Sequence, residues 1–121
     1  MRIVARKTLL EFARKHPDSD QPLRAWFKVV RQATWKTPAD IKSCYRTVDI
    51  LKQGRVVFDV LNNKYRIVTS IKYAKISGQK QTLGIVFIKF IGTHAEYDKI
   101  DANNVSLSLP RGKKKERKGK K

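Results

Sequence analysis

Tyr65-Arg66-Ile67-Val68-Thr69-Ser70-Ile71-Lys72-Tyr73 decides the fold class. Side chains along a strand point alternately to two faces. On that reading Tyr65, Ile67, Ile71 and Tyr73 share one face, and Arg66, Val68, Ser70 and Lys72 share the other. The first set is a core face, and the second puts two cations along an open face. Upstream, Val56, Phe58 and Val60 alternate with Arg55, Val57 and Asp59. Leu61-Asn62-Asn63-Lys64 joins the two runs as a turn, because asparagine tolerates positive φ. Downstream, Ser77-Gly78-Gln79-Lys80 is a polar turn into Thr82 to Ile91, which reads as a buried strand ended by Gly92. The expectation is a three-strand antiparallel meander.

The N-terminal half has a different period. Arg2 to Arg6 reads as a short strand. Thr8-Leu9-Leu10-Glu11 has the form of a capping box, and Pro17 closes the helix that follows near Lys15. Asp18, Ser19 and Asp20 are candidate caps for a second helix, with Pro22 in its first turn. Leu23, Trp26, Phe27 and Val30 then fall on one helical face. Thr37-Pro38-Ala39-Asp40 starts a short helix over about Pro38 to Cys44, and Tyr45 to Gln53 reads mostly as loop. A short C-terminal helix is expected over Asp98 to Val105. Helices and strands therefore segregate in the order β-α-α-β-β-β, an α+β fold with two N-terminal helices packed on one face of a twisted antiparallel sheet.

Length and charge narrow the function. The chain has 121 residues, enough for one domain. We read that domain as residues 1–105 and residues 106–121 as a basic, disordered tail. The 28 Lys and Arg against 10 Asp and Glu give a net charge of +18. Arg111 to Lys121 holds eight basic residues and one acidic, so +11 remains on the rest. A basic domain of this size implies a polyanionic partner, nucleic acid first and an acidic protein second. No window approaches a membrane span and no signal peptide is evident, so no membrane partner is expected and the location is read as cytoplasmic. Cys44 is the only cysteine, which excludes an internal disulfide and a cysteine-rich metal site; its default reading is a buried structural thiol.

The residue types on and beside the open face suit phosphodiester chemistry on RNA. Attack of a 2′-hydroxyl on the adjacent phosphorus needs one proton removed, one donated, and stabilisation of negative charge on phosphate oxygens. Arg66 can bind phosphate in a bidentate fork, and Lys72 is a point charge on the same strand face. Thr93-His94-Ala95-Glu96-Tyr97-Asp98-Lys99 hangs from the end of the last strand. His94 is a candidate base or acid, and Tyr97 can stack on a base or share in proton transfer. Arg46, Arg55, Lys64 and Lys99 are candidate RNA contacts. Each has a plainer reading: Arg66 pairing with Asp59 across the hairpin, Lys72 solvated, His94 holding the turn, Tyr97 in the core. Glu96 and Asp98 read as structural or solvated. No phosphate-binding glycine loop is present, and His16 and His94 lack metal-ligand spacing, so neither cofactor nor metal is expected.

The heptad, preceded by Val86-Phe87-Ile88-Lys89-Phe90-Ile91-Gly92, resembles the C-terminal signature of the HigB family of bacterial toxins. Val57-Phe58-Asp59-Val60, Asn63 and Tyr65-Arg66-Ile67-Val68 resemble its central hairpin. Ile3-Val4-Ala5-Arg6-Lys7-Thr8-Leu9 and Ala25-Trp26 resemble its start. The likeness runs from about Met1 to Val105. It implies the RelE/ParE superfamily fold and a type II toxin that cleaves mRNA on translating ribosomes. It also implies an antitoxin of the HigA type carrying a helix-turn-helix domain, in a complex that is oligomeric on operator DNA. The family's basic and aromatic positions map onto Arg66, His94 and Tyr97, whereas Lys72 comes from strand alternation alone. Two rivals stand beside this reading: a gyrase-directed toxin of the same fold, and a basic RNA- or ribosome-binding protein without activity.

Overall fold

The computed structural model describes residues 1–106. Its strands are Arg2–Val4 (β1), Asp49–Ile50 (β2), Arg55–Val60 (β3), Tyr65–Lys72 (β4), Lys75–Ser77 (β5), Lys80–Thr82 (β6) and Ile85–Thr93 (β7). Its helices are Arg6–Lys15 (α1), Asp20–Gln32 (α2), Pro38–Cys44 (α3) and His94–Tyr97 (α4). Five strands form one sheet in the order β1-β7-β4-β3-β2, and β5 and β6 form a separate two-stranded ribbon. The expected meander is β3-β4-β7, antiparallel throughout. The sheet as a whole is mixed, because β1 runs parallel to β7 along its far edge.

The alternating pattern builds the core. Val56, Phe58 and Val60 on β3 and Tyr65, Ile67 and Ile71 on β4 are buried beneath Leu9, Leu23, Trp26 and Val30 of the first two helices. Phe58 is fully buried, with the rings of Trp26 and Tyr45 each 5.3 Å away. Truncating a residue so enclosed costs about 3–5 kcal/mol. Burial pushes the Tyr45 phenol up to about 12, with the neighbouring Cys44 adding to it, so the ring serves the core as a neutral group. Ahead of α3, Thr37 accepts from the Asp40 amide at 3.3 Å while Asp40 accepts from the Thr37 amide at 3.2 Å. With Pro38 at the first helical position, this is the start the sequence announced.

Several local expectations fail, each for a physical reason. The Thr8 capping box does not form: α1 begins at Arg6 with Ala5 as its cap, so Thr8 is already helical and cannot be the extended cap residue. Ser19 precedes α2 in a helical conformation and donates its hydroxyl to the His16 carbonyl at 2.6 Å, while Asp18 points away to Lys64 and Tyr65. Cys44, at the last position of α3, is exposed rather than buried. The loop after Tyr45 includes the short edge strand β2, paired with β3. The last long strand begins at Ile85, because Lys75 to Thr82 folds back on itself as the ribbon. The C-terminal helix is His94–Tyr97, and Asp98 to Val105 continues in turns. The expectation for residues 107–121 lies outside the described residues.

Two features reposition the sheet face opposite the helices. Thr69 pairs with Ile88 but Val68 pairs with Phe90, so Lys89 is an extra residue, a bulge in β7. The bulge resets the alternation, letting Ile91 join the same core as Val86 and Ile88. That face is also less open than expected. Val57 and Val68 lie on it, yet they are 1% and 0% exposed. The chain beyond β7 covers it: α4 packs on β4 and β7, and the Arg55 guanidinium donates to the carbonyls of Ala102 at 3.1 Å and Val105 at 2.6 Å. Among the described residues, no helix is long and apolar enough to cross a membrane.

Candidate active site

The site forms where β4 begins and β7 ends. Arg66 lies opposite Asp59 on β3 and opposite Gly92 on β7. Between β3 and β4, Leu61, Asn62 and Asn63 all have positive φ, of 55°, 53° and 76°. This left-handed turn brings the Asn63 amide oxygen back over the strand, where it accepts from Arg66 Nε at 2.8 Å. Asp59 Oδ1 lies 3.2 Å from the same nitrogen. Asp49 Oδ2 stands 3.8 Å from Arg66 Nη1, beyond hydrogen-bond reach. Arg66 is thus held by its Nε, and the two terminal nitrogens that make a phosphate fork keep only a loose partner among the described residues. Its side chain is 14% exposed.

Tyr97 sits above that guanidinium, whose central carbon is 4.7 Å from the ring centroid, a cation–π stack. The helix carrying Tyr97 is fixed by a second capping box. Thr93 accepts from the Glu96 amide at 3.1 Å, and Glu96 accepts from the Thr93 amide at 2.8 Å. Glu96 is therefore structural. A side chain at Gly92 would meet the Phe90 ring at 2.6 Å and the Glu96 carboxylate at 2.9 Å, and would have to displace both.

His94 opens the helix, and its amide donates to the Lys64 carbonyl at 3.1 Å, which ties the end of β7 to the hairpin turn. Its Nδ1 lies 3.2 Å from Asp98 Oδ2, one helical turn on. That contact leaves Nε2 as the nitrogen free for proton transfer. The imidazole is half-exposed. Burial raises the Asp59 carboxyl above its usual range; Arg66 opposes the shift, Asp49 adds to it, and His94 opposes it. Asp59 and Asn63 are the members that the sequence reading left out of the site. The signal for both was present, in the strand alternation opposite Arg66 and in the asparagine turn.

Arg66, His94 and Tyr97 are brought together, and Lys72 is not. Lys72 is six residues along the same strand, on the order of 20 Å away, exposed and opposite Ile85. One phosphate cannot touch both ends. Of the candidate RNA contacts, Lys64 forms an ion pair with Asp18, and Arg55 is committed to the carbonyls of the C-terminal segment. Arg46 and Lys99 are exposed, with no ion-pair partner among the described residues. Nor do three or more His, Cys, Asp or Glu among those residues gather closely enough to hold a metal ion.

Fold and site together define a small, basic α+β domain that carries a held arginine, an imidazole and a phenol at one end of its sheet. The sequence model of the HigB toxin family, described as the RelE-like toxic component of a toxin–antitoxin system, matches residues 19–100. The chain belongs to this family. It is 28% identical over 102 residues to the mRNA interferase HigB of Escherichia coli O6:H1, an alignment covering 83% of this chain and 91% of that protein. Every candidate site residue lies inside the family match.

Proposed function

We propose that this toxin is a ribosome-dependent endoribonuclease that cleaves mRNA by transesterification from the 2′-hydroxyl, without a metal. The observation that carries the reading is the Arg66 guanidinium, anchored through Nε and stacked on Tyr97, with its terminal nitrogens left for an anion. An arginine meant only to neutralise Asp59 would gain nothing from a second partner on Nε and an aromatic lid.

We assign the roles as follows. His94 Nε2 takes the proton of the 2′-hydroxyl, while Asp98 at Nδ1 orients the ring and stabilises the imidazolium that forms. The 2′-oxygen attacks phosphorus in line. Arg66 spreads its charge over the two non-bridging oxygens, where negative charge grows in the transition state. The bond to the 5′-oxygen breaks and that oxygen takes a proton from the Tyr97 hydroxyl. The products are a 2′,3′-cyclic phosphate and a 5′-hydroxyl end. Asn63 and Asp59 are positioning residues for Arg66.

The same reading gives the toxin an antitoxin of the HigA type with a helix-turn-helix domain, in an oligomeric complex on operator DNA, and puts its action on translating ribosomes in the cytoplasm. The family description, a toxic component of a toxin–antitoxin system, supports the pairing. The relative's name supports the activity.

The test is induction of the chain followed by mapping of transcript 5′ ends. New ends associated with codons, bearing 5′-hydroxyls and absent in Arg66→Ala, are expected. No new ends, together with an SOS response, would instead point to gyrase as the target.

A further inference from the structure

At the other end of β4 the chain does something the cleavage site does not use. After Lys72 it leaves the main sheet as the β5–β6 ribbon and returns at Gly84. All six strand residues of the ribbon are exposed. Its base is fixed. Ala74 is buried, and its amide donates to the carbonyl of the buried Trp35 at 2.9 Å. Gly84 is packed so tightly that a side chain there would meet the Lys72 carbonyl oxygen at 2.7 Å. The ribbon is thus a solvent-exposed hairpin on a rigid root.

Its two faces differ in kind. The register pairs Lys75 with Thr82 and Ser77 with Lys80, so these four side chains share one face, while Ile76 and Gln81 lie on the other. The first face carries only cations and hydroxyls. The second has Ile76 at 59% exposure, with Leu83 just beyond it at 67%. The charge around the ribbon is one-sided over a long span. From Val60 to Ala95 there are 36 residues with six Lys and Arg and no Asp or Glu. Lys72, Lys75 and Lys80 have no ion-pair partner among the described residues, whereas Lys64 and Arg66 do.

We infer that the β5–β6 ribbon is a second RNA-binding site, which takes the sugar–phosphate backbone of structured RNA through Lys75 and Lys80 flanked by the Ser77 and Thr82 hydroxyls. The inference rests on the reading of this toxin as acting on RNA and deepens it. Ammonium groups match phosphate oxygens, and hydroxyls match the 2′-OH rows that line the wide, shallow minor groove of duplex RNA. A two-stranded ribbon with no acidic residue meets no repulsion there. Ile76 and Leu83 can lie against ribose. The rigid root means that little conformational freedom is lost on binding. Because the ribbon leaves the end of β4 remote from Arg66, it touches RNA other than the scissile nucleotide. A toxin that acts on a message held by a ribosome meets duplex-rich RNA of that kind around its substrate.

The experiment compares equilibrium binding of the full chain and of K75Q/K80Q to small ribosomal subunits and to deproteinised small-subunit RNA over a salt series. The expected result is about tenfold weaker binding to both probes at about 0.1 M salt, and a log–log salt slope shallower by about 2, one for each phosphate that the variant leaves without its lysine. K75R/K80R should bind like the parent. K7Q/K28Q, which removes the same charge from exposed helix positions, should keep the parent slope. An unchanged slope in K75Q/K80Q overturns the inference. So does an equal change in K7Q/K28Q, which would make the effect one of net charge. A loss confined to whole subunits would assign the ribbon to a ribosomal protein instead of RNA and overturn it too. Binding is read without turnover, so absence of cleavage would sink the nuclease reading alone, and cleavage with unchanged binding in K75Q/K80Q would sink the ribbon alone.

Discussion

The two ends of β4 carry the same kind of residue and treat it in opposite ways. At the Arg66 end the cation is partly buried, held by Asn63 and Asp59 and lidded by Tyr97. At the Lys72 end the cations are exposed and unpaired among the described residues. Chemistry needs a group whose position is settled before substrate arrives, and partners that take some of its hydrogen-bonding capacity are what settle it. Backbone binding needs only charge that can follow a phosphate, which solvated lysines supply.

Mutations can break or sharpen this contrast. The largest effect is expected for His94→Gln, which removes the proposed proton acceptor and should lower cleavage by about 10³-fold while leaving the thermal midpoint unchanged. A fall of many degrees in that midpoint would make His94 structural and remove it from the reaction. Arg66→Ala should cost about 10²-fold in cleavage, and Arg66→Lys should recover little, since a lysine cannot be held by one nitrogen and bind with two others. Rates measured on programmed ribosomes decide both.

Smaller effects test the positioning and the distance. Asn63→Ala leaves Arg66 Nε with Asp59 as its one remaining partner, with an expected loss of about tenfold in kcat and little change in KM. A loss confined to KM would mean that Asn63 contacts RNA itself. Lys72→Ala should change cleavage by about threefold or less, because one phosphate cannot span the two ends. A loss as large as that of Arg66→Ala would collapse the distinction.

Two carboxylates give the contrast a pH signature. Hydrogen bonds from Lys64 and then Tyr65 hold Asp18 below its usual range. Its contribution to stability is therefore complete above the ordinary carboxyl value of about 4 and is lost as pH falls through the lower folded value. Asp59 is raised, chiefly by burial, so ionising it opposes folding once pH rises through the same ordinary range. At neutral pH, Asp18→Asn should lower the thermal midpoint and Asp59→Asn should raise it slightly. Both differences should shrink towards pH 3. Shifts of the same sign in the two variants would contradict the assignment.

Much of this was legible in the sequence where the determinant is local. The alternation of Arg55 to Tyr73 assigned Arg66 and Asp59 to one face, and the face was right. Thr37-Pro38-Ala39-Asp40 announced α3 to the residue, because a capping box is settled within four positions. The heptad at the end of β7 held a cap, but the helix was placed too late, since Thr93 and Glu96 cap a turn that starts at His94 and not at Asp98. Thr8 and Glu11 had the spacing of a cap and did not become one, because α1 had already started upstream.

Sequence by itself determined which residues share a face, where the chain reverses, and that a long stretch from Val60 to Ala95 would be positive. These depend on side-chain period, turn chemistry and composition, all of which act over a few residues or none. Tertiary structure alone decided which cations are held and which are free. Lys64 is taken by Asp18, 46 positions away, and Arg55 by the Val105 carbonyl, 50 positions away. The bulge at Lys89, and the separation of Lys72 from Arg66 along one strand, emerge only when β7 is laid against β4. A cation's role depends on what stands beside it, and its neighbours here come from distant parts of the chain, which no local pattern specifies.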